Sequence, residues 1–158
     1  MAYKAIVRPT LEYAATVWDP HTVQHIKSIE MVQRRAARFV TNNYQDYHPG
    51  AITTMLGNLQ WETLQARRSK ARLTMMFKIL HGEVAIPSSN YVTAGDSRTR
   101  GAHRLREIST NKDTYRNSFF PRTVKQWNAL PSDVAGVTKV DQFKAMLDRL
   151  PAGHRALT

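Results

Sequence analysis

Two stretches of this 158-residue chain repeat apolar side chains at three- and four-residue spacing for longer than a strand would, and they set the fold class. The first covers residues 23–41. Val23, Ile26, Ile29, Val32, Ala36, Phe39 and Val40 predict one apolar stripe on a helix. Asp19-Pro20 stands before it as an N-cap side chain and a first-position proline. The second covers residues 62–81, with Trp61 at its entrance and Leu64, Ala71, Met75, Met76, Ile79 and Leu80 as apolar positions. Gly82 is placed as its C-terminal stop. Pro49-Gly50 breaks the chain between the two, leaving a short helix around residues 52–56. Upstream, Ala5, Ile6, Val7, Leu11, Ala14, Ala15 and Val17 predict a helix interrupted or started by Pro9, apolar enough to be largely buried.

Residues 83–117 lose that period. Pro87-Ser88-Ser89-Asn90 and Gly95-Asp96-Ser97 are turn chemistry, and Arg98, Arg100, Arg104 and Arg106 follow at close spacing around Gly101. Two readings stay open for this segment: an arginine-dense loop that orders on an anionic partner, and a plain flexible loop. Helical pattern then returns. Ser118 caps a helix with Pro121 in its first turn, with Val124, Trp127 and Leu130 on one side and Pro131 at its end. Thr138 with Asp141 resembles a capping box before Phe143, Met146, Leu147 and Leu150. The expected fold is mostly α: an irregular bundle of four to six helices with one long Arg-rich loop. The expected organisation is a helical region over 1–82, a basic loop or linker over 83–117, a C-terminal helical region over 118–150 packing with the first, and a tail over 151–158.

The charge is placed unevenly. Lys+Arg number 23 against 12 Asp+Glu, a formal net charge of +11. Residues 1–33 balance at zero, residues 34–78 carry +6, residues 79–97 carry −2, residues 98–125 carry +6, and the remainder carries +1. Arginine outnumbers lysine 15 to 8, and the planar guanidinium suits bidentate phosphate contact. A polyanion, above all nucleic acid, fits such a balance; a solvated basic surface without a dedicated ligand is the alternative. Arg67, Arg68, Lys70 and Arg72 crowd the first half of the second long helix, where the helix dipole disfavours cations. Either the charge has work there beyond solubility, or the arginines are simply solvated.

Several chemistries are absent from the pattern. Without Cys there is no disulfide, thiolate metal site or Cys nucleophile. The twelve acids are dispersed, with no Asp-x-Asp arrangement to share metal ions, and the glycines stand singly rather than in a phosphate-binding loop. His21 and His25 are spaced as i, i+4 imidazoles, but no third ligand lies near them in sequence, so ordinary surface histidines are expected. No apolar run approaches a membrane span and no signal-type stretch opens the chain, so an intracellular location, cytoplasmic or nuclear, is expected. No cofactor, metal or catalytic residue is expected. Tyr115, Phe119, Phe120 and Trp127 lie among Arg116, Arg122 and Lys125 as base-stacking groups do, yet the two Phe and Trp127 fit a core-facing helix better.

Particular strings carry a family resemblance. Tyr-Lys-Ala-Ile-Val-Arg-Pro-Thr-Leu-Glu-Tyr-Ala-Ala-Thr-Val-Trp-Asp-Pro over residues 3–20 is followed by Ile29-Glu30 and by Val32-Gln33-Arg34-Arg35-Ala36-Ala37-Arg38-Phe39-Val40. Leu59-Gln60-Trp61, Arg67-Arg68, Ala71-Arg72-Leu73, Thr99-Arg100-Gly101, Asn117-Ser118-Phe119-Phe120-Pro121-Arg122 and Trp127-Asn128 continue it in order. Together they resemble the thumb and post-polymerase region of LINE-type, non-long-terminal-repeat retrotransposon reverse transcriptases. The polymerase Tyr-x-Asp-Asp motif and the apurinic-type endonuclease of that family are not in this chain. The resemblance implies a non-catalytic segment whose helices grip a template–primer duplex, RNA–DNA above all, or target DNA. It carries phosphate contact to Arg34, Arg35, Arg38, Arg67, Arg68 and Arg72, and more weakly to Arg98, Arg100 and Arg122. It also implies docking on the fingers and palm of a polymerase. A structural or protein-interaction fragment, self-associating through Ile6, Val7 and Leu11, is the competing expectation, and a decayed element remnant without function is a third.

Overall fold

Helix after helix accounts for the chain, as its apolar spacing requires. The computed structural model describes residues 2–95 and 103–150. Among them, five helices have eight or more residues: α3 (Val23–Thr41), α4 (Ala51–Asn58), α5 (Leu64–Leu80), α7 (Phe119–Asn128) and α9 (Val140–Arg149). Shorter turns of helix complete the set: α1 (Arg8–Glu12), α2 (Ala15–Trp18), α6 (Asp113–Arg116) and α8 (Ser132–Ala135). A π-helical turn, Tyr3–Val7, runs directly into α1. The chain is mostly α, and it divides into two compact units, Met1–Arg68 and Ser69–Thr158, with the division inside α5.

In the first unit α4 packs on α3. Tyr3, Ala37, Met55, Leu56 and Trp61 form its core, and the Tyr3 ring stacks on Trp61 at 4.3 Å. The buried face of α3 is Ile26, Glu30, Gln33 and Ala37. This phase departs from the apolar stripe read in the sequence: Val23 and Phe39 face solvent because two polar residues, Glu30 and Gln33, take interior positions. The cap also differs. Thr22, not Asp19, precedes α3 and its hydroxyl accepts from the His25 N–H, while the Asp19 carboxylate is engaged elsewhere. The segment before α3 is not largely buried: only Tyr3 and Ala15 go inside, while Ile6 (67% exposed), Tyr13 (81%) and Val17 (86%) face out. Pro9 sits in the first turn of α1, directly after the π-helical turn.

The second unit is built on α5, α7 and α9. Phe77 of α5 stacks against Phe143 of α9 at 4.7 Å, and Trp127 of α7 meets the same ring at 5.6 Å. Leu73, Met76, Val124, Val134 and Leu147 close the cluster. Gly82 ends α5 at φ +69°, a left-handed conformation that costs glycine little, and the Glu83 N–H returns to the Lys78 carbonyl at 2.8 Å. The segment after it is pinned where it is described. Ala94 pairs with Leu105 as an isolated antiparallel bridge, and Val92 and Leu105 pack on the core. The Asn128 amide binds the Leu105 backbone from both ends, accepting from its N–H at 2.9 Å and donating to its carbonyl at 2.8 Å. The capping box read at Thr138 is displaced: Lys139 precedes α9 without a side-chain cap, and Asp141 pairs with Lys144.

Candidate nucleic-acid interface

An arginine-rich helix start needs negative charge, and the first unit supplies it. All three acids of residues 1–33 meet the beginning of α5. Glu30 reaches from α3 and its Oε1 accepts from the Gln65 N–H at 2.7 Å, while the Thr63 hydroxyl accepts from the Ala66 N–H at 3.2 Å. Gln33 beside Glu30 donates to the Glu62 carbonyl at 2.9 Å. Glu12 receives the Arg67 fork on both carboxylate oxygens, with Nη2–Oε2 at 2.9 Å. Asp19 Oδ1 accepts from Arg68 Nε at 2.7 Å, with both side chains buried (0% and 5% exposed). The hydrogen bond to Glu12 raises the Arg67 pKa above its ordinary value. Burial lowers that of Arg68, opposed by the charges of Glu30 and Glu12. The conflict with the helix dipole is thus answered locally, by carboxylates at the positive end.

These contacts change the role of most arginines assigned to phosphate. Arg67 is held by Glu12, and Arg68 is fully inside. In the second unit Arg72 and Arg122 are buried; Arg72 Nη2 donates to Gln126 Oε1 at 2.8 Å. Burial lowers Arg72 to about 9, with the like charge of Arg122 adding to the effect, so it remains protonated at neutral pH. In this conformation Arg68, Arg72 and Arg122 do not present a guanidinium to solvent. The physical reason is that each lies on a core-facing side of its helix. Arg98 and Arg100 lie outside the described residues.

What remains outward is the second half of α3 and the chain that follows. Arg34 and Arg35 are exposed, with Lys27 exposed two turns before Arg34 on the same side. Phe39 (73% exposed) stands one turn beyond Arg35, and Arg38 one turn beyond Arg34. Arg38 is fixed rather than free: its Nη1 donates to the Asp46 carbonyl at 2.8 Å, and its guanidinium lies 4.7 Å from the Tyr47 ring centroid. Tyr47 is 80% exposed, and Tyr44 is exposed beside it in sequence. Asn42 closes α3 in the left-handed region, and Asn43 Oδ1 accepts from the Asp46 N–H at 3.2 Å, shaping the turn that carries both tyrosines. Cations and uncovered aromatic rings therefore share one surface. Sequence reasoning missed Phe39, Tyr44 and Tyr47 as a group. The available signal was two tyrosines in the aperiodic stretch 42–50, directly after a run of arginines.

The other aromatic group is occupied internally. Trp127 is buried, Phe119 and Phe120 are half-buried against the second core, and Tyr91 stacks flat on Phe120 at 4.5 Å. Tyr91 and Tyr115 are the exposed members of that set. His25 Nδ1 shares a hydrogen bond with the Thr22 hydroxyl at 2.8 Å, and no group of three His, Asp or Glu among the described residues is placed to hold a metal ion. No helix among them is long and apolar enough to cross a membrane. Comparison with protein-family models, with curated proteins and with solved structures gives no match.

Proposed function

We propose that the chain is a non-catalytic nucleic-acid-binding module of the kind found in the thumb and post-polymerase region of LINE-type reverse transcriptases. The observation that supports this reading is the α3 surface, where exposed Arg34 and Arg35 lie one turn before Arg38 and exposed Phe39, and the exposed Tyr47 ring lies against Arg38. Guanidinium groups meet backbone phosphates, and uncovered rings stack on unpaired bases at about 1–3 kcal/mol per base. Binding of this kind is tolerant of sequence and sensitive to salt. Partners are RNA or DNA strands, including the single-stranded edges of an RNA–DNA duplex. With Lys27, Arg34, Arg35 and Arg38 each neutralising one phosphate, the slope of log affinity against log salt on a single strand is about −3.

Fluorescence anisotropy with a labelled mixed-sequence single-stranded RNA, and with an RNA–DNA duplex of equal length, tests it. Salt-sensitive binding that weakens in Phe39→Ala/Tyr47→Ala is the expected result. Absence of binding at low salt, or binding indifferent to salt, overturns the proposal.

A second reading has its own observation. Ile6 on the π-turn, Tyr13 just after α1 and Val17 on α2 are apolar side chains left exposed among the described residues of the first unit. This surface fits self-association. Light scattering after size-exclusion chromatography decides it: a concentration-dependent mass that falls in Ile6→Ser/Val17→Ser supports this reading, and a constant monomer removes it.

A further inference from the structure

The second unit contains a concavity of about 260 Å³ that the α3 surface does not explain. Its floor is apolar, from Leu80, Leu105, Trp127 and Val137, and its rim carries His81, His103 and Arg104. The walls are fixed. Trp127 Nε1 donates to the His103 carbonyl at 2.9 Å, and Asn128 clamps the Leu105 backbone from both sides. His81 is stacked on Phe77 at 3.9 Å with its Nδ1 against the Phe77 carbonyl. At Gly136 a Cβ would come 3.1 Å from His103 Nε2, so the glycine makes room for that imidazole at the edge of the concavity. A groove of about 500 Å³ adjoins it, sharing Ala94, Arg104 and Leu105 and adding Arg106, with the Glu107 carboxylate also on its lining.

The concavity is just under the size at which drug-sized ligands are taken, which suits one planar ring system rather than a folded strand. Apolar floor, imidazole rim and an adjoining groove with two exposed arginines against one carboxylate match an aromatic base joined to an anionic phosphate. We propose that this site takes a single nucleotide unit, the base entering the concavity between His81 and His103 and the 5′-phosphate meeting Arg104 and Arg106. The ligand class rests on the nucleic-acid reading above, but the site is separate from the α3 surface and needs none of its residues.

Saturation-transfer NMR of adenosine 5′-monophosphate with the full chain tests the site directly, without a strand. The expected result is a saturable signal strongest on the base protons and absent for ribose 5-phosphate, which offers the anion without the ring. Thr138→Phe, a change at an exposed rim position, should weaken the mononucleotide at least about tenfold by occupying the mouth. Arg104→Gln, an exposed side chain whose loss leaves the core intact, should weaken it about fivefold while leaving adenosine unchanged. No signal at millimolar nucleotide, or equal signal in both variants, overturns the site. Strand affinity measured in parallel separates the two ideas: a strand that binds normally to a chain blind to the mononucleotide ends this inference and leaves the α3 surface standing. A mononucleotide that binds while no strand does sustains the site and removes the other.

Discussion

Replacing Arg34 and Arg35 together by glutamine should lower the affinity for a single strand about 25-fold at 0.1 M salt, and replacing Arg67 should not. The difference comes from where the guanidinium groups are. Arg34 and Arg35 are exposed on α3, so each that meets a phosphate releases condensed counterions. On single strands each contact contributes about 0.7 to the slope of log affinity against log salt, so two fewer contacts take the slope from about −3 to about −1.5. At 0.1 M salt that change is about 1.4 decades. Arg67 already faces Glu12 through Nε and Nη2, and its loss removes an internal pair rather than a phosphate contact. Arg67→Gln should therefore change strand affinity less than threefold and leave the slope where it was. The assay is anisotropy of one labelled strand over a salt series with wild type and both variants. Circular dichroism and thermal midpoints would show that Arg34→Gln/Arg35→Gln folds as wild type does. An unchanged slope in that double variant refutes the assignment. So does an equal effect from Arg67→Gln, because it would mean that the Glu12 pair opens to the ligand.

Other expectations concern what stabilises each unit internally. Arg68→Met leaves the buried Asp19 carboxylate without its guanidinium and should cost about 3–5 kcal/mol in urea unfolding, a large share of an ordinary domain's stability; a loss under about 1 kcal/mol would show the pair to be solvated. Burial raises the Tyr3 hydroxyl to about 12 from 10, and its oxygen has no hydrogen-bond partner among the described residues. The folded state prefers the neutral phenol, so this contribution is complete below pH 10 and is lost as pH rises towards 12, up to roughly 2 kcal/mol. Tyr3→Phe should be near neutral at pH 7 and should flatten the urea midpoint between pH 10 and 12; equal alkaline loss in both proteins contradicts the assignment. Asn128→Ala removes both bonds to the Leu105 backbone and should cost about 1–2 kcal/mol, with faster amide exchange at Leu105 as the specific sign.

Much of the helix pattern could be read from residue order, because apolar period and terminators act locally. Gly82 ends α5 as its position implied, Gly50 precedes α4, and Val124, Trp127 and Leu130 turn inward together. The phase of α3 could not be read in the same way. Glu30 and Gln33 are polar, yet they are inside, since the start of α5 offers the Gln65 N–H and the Glu62 carbonyl to them. A pattern that scores apolar residues assigns such positions to solvent and rotates the helix, which puts Phe39 and Val23 in the core, whereas both are on the surface. The same blindness affected the arginines. Nothing in the run Arg67-Arg68 tells which guanidinium meets a carboxylate 55 residues earlier and which one 49 residues earlier. Asp19 looked like a helix cap for the same reason: its partner is distant in sequence, and Thr22 was free to take the cap instead.

The distribution of charge along the chain therefore differs from its distribution in the fold. Residues 1–33 sum to zero in sequence, and the block after them to +6. In the first unit, however, the acids of that neutral stretch are turned towards α5: Glu12 on Arg67, Asp19 on Arg68, and Glu30 on the helix start. Their charge is used where it is buried or half-buried, at short range and with little screening. It no longer offsets Lys27, Arg34 and Arg35, which face water. Of the +6 block, which the residue count spreads over α3 and α5, the arginines of the first unit left facing water are thereby Arg34 and Arg35 of α3, one turn before Phe39. Neutralising one of those carboxylates leaves the α3 cations as they are and releases the charge of its arginine partner. Strand affinity in Glu12→Gln should consequently rise or hold rather than fall, although stability falls, and a loss of affinity in step with stability would show that the interior pairs and the α3 surface act as one site.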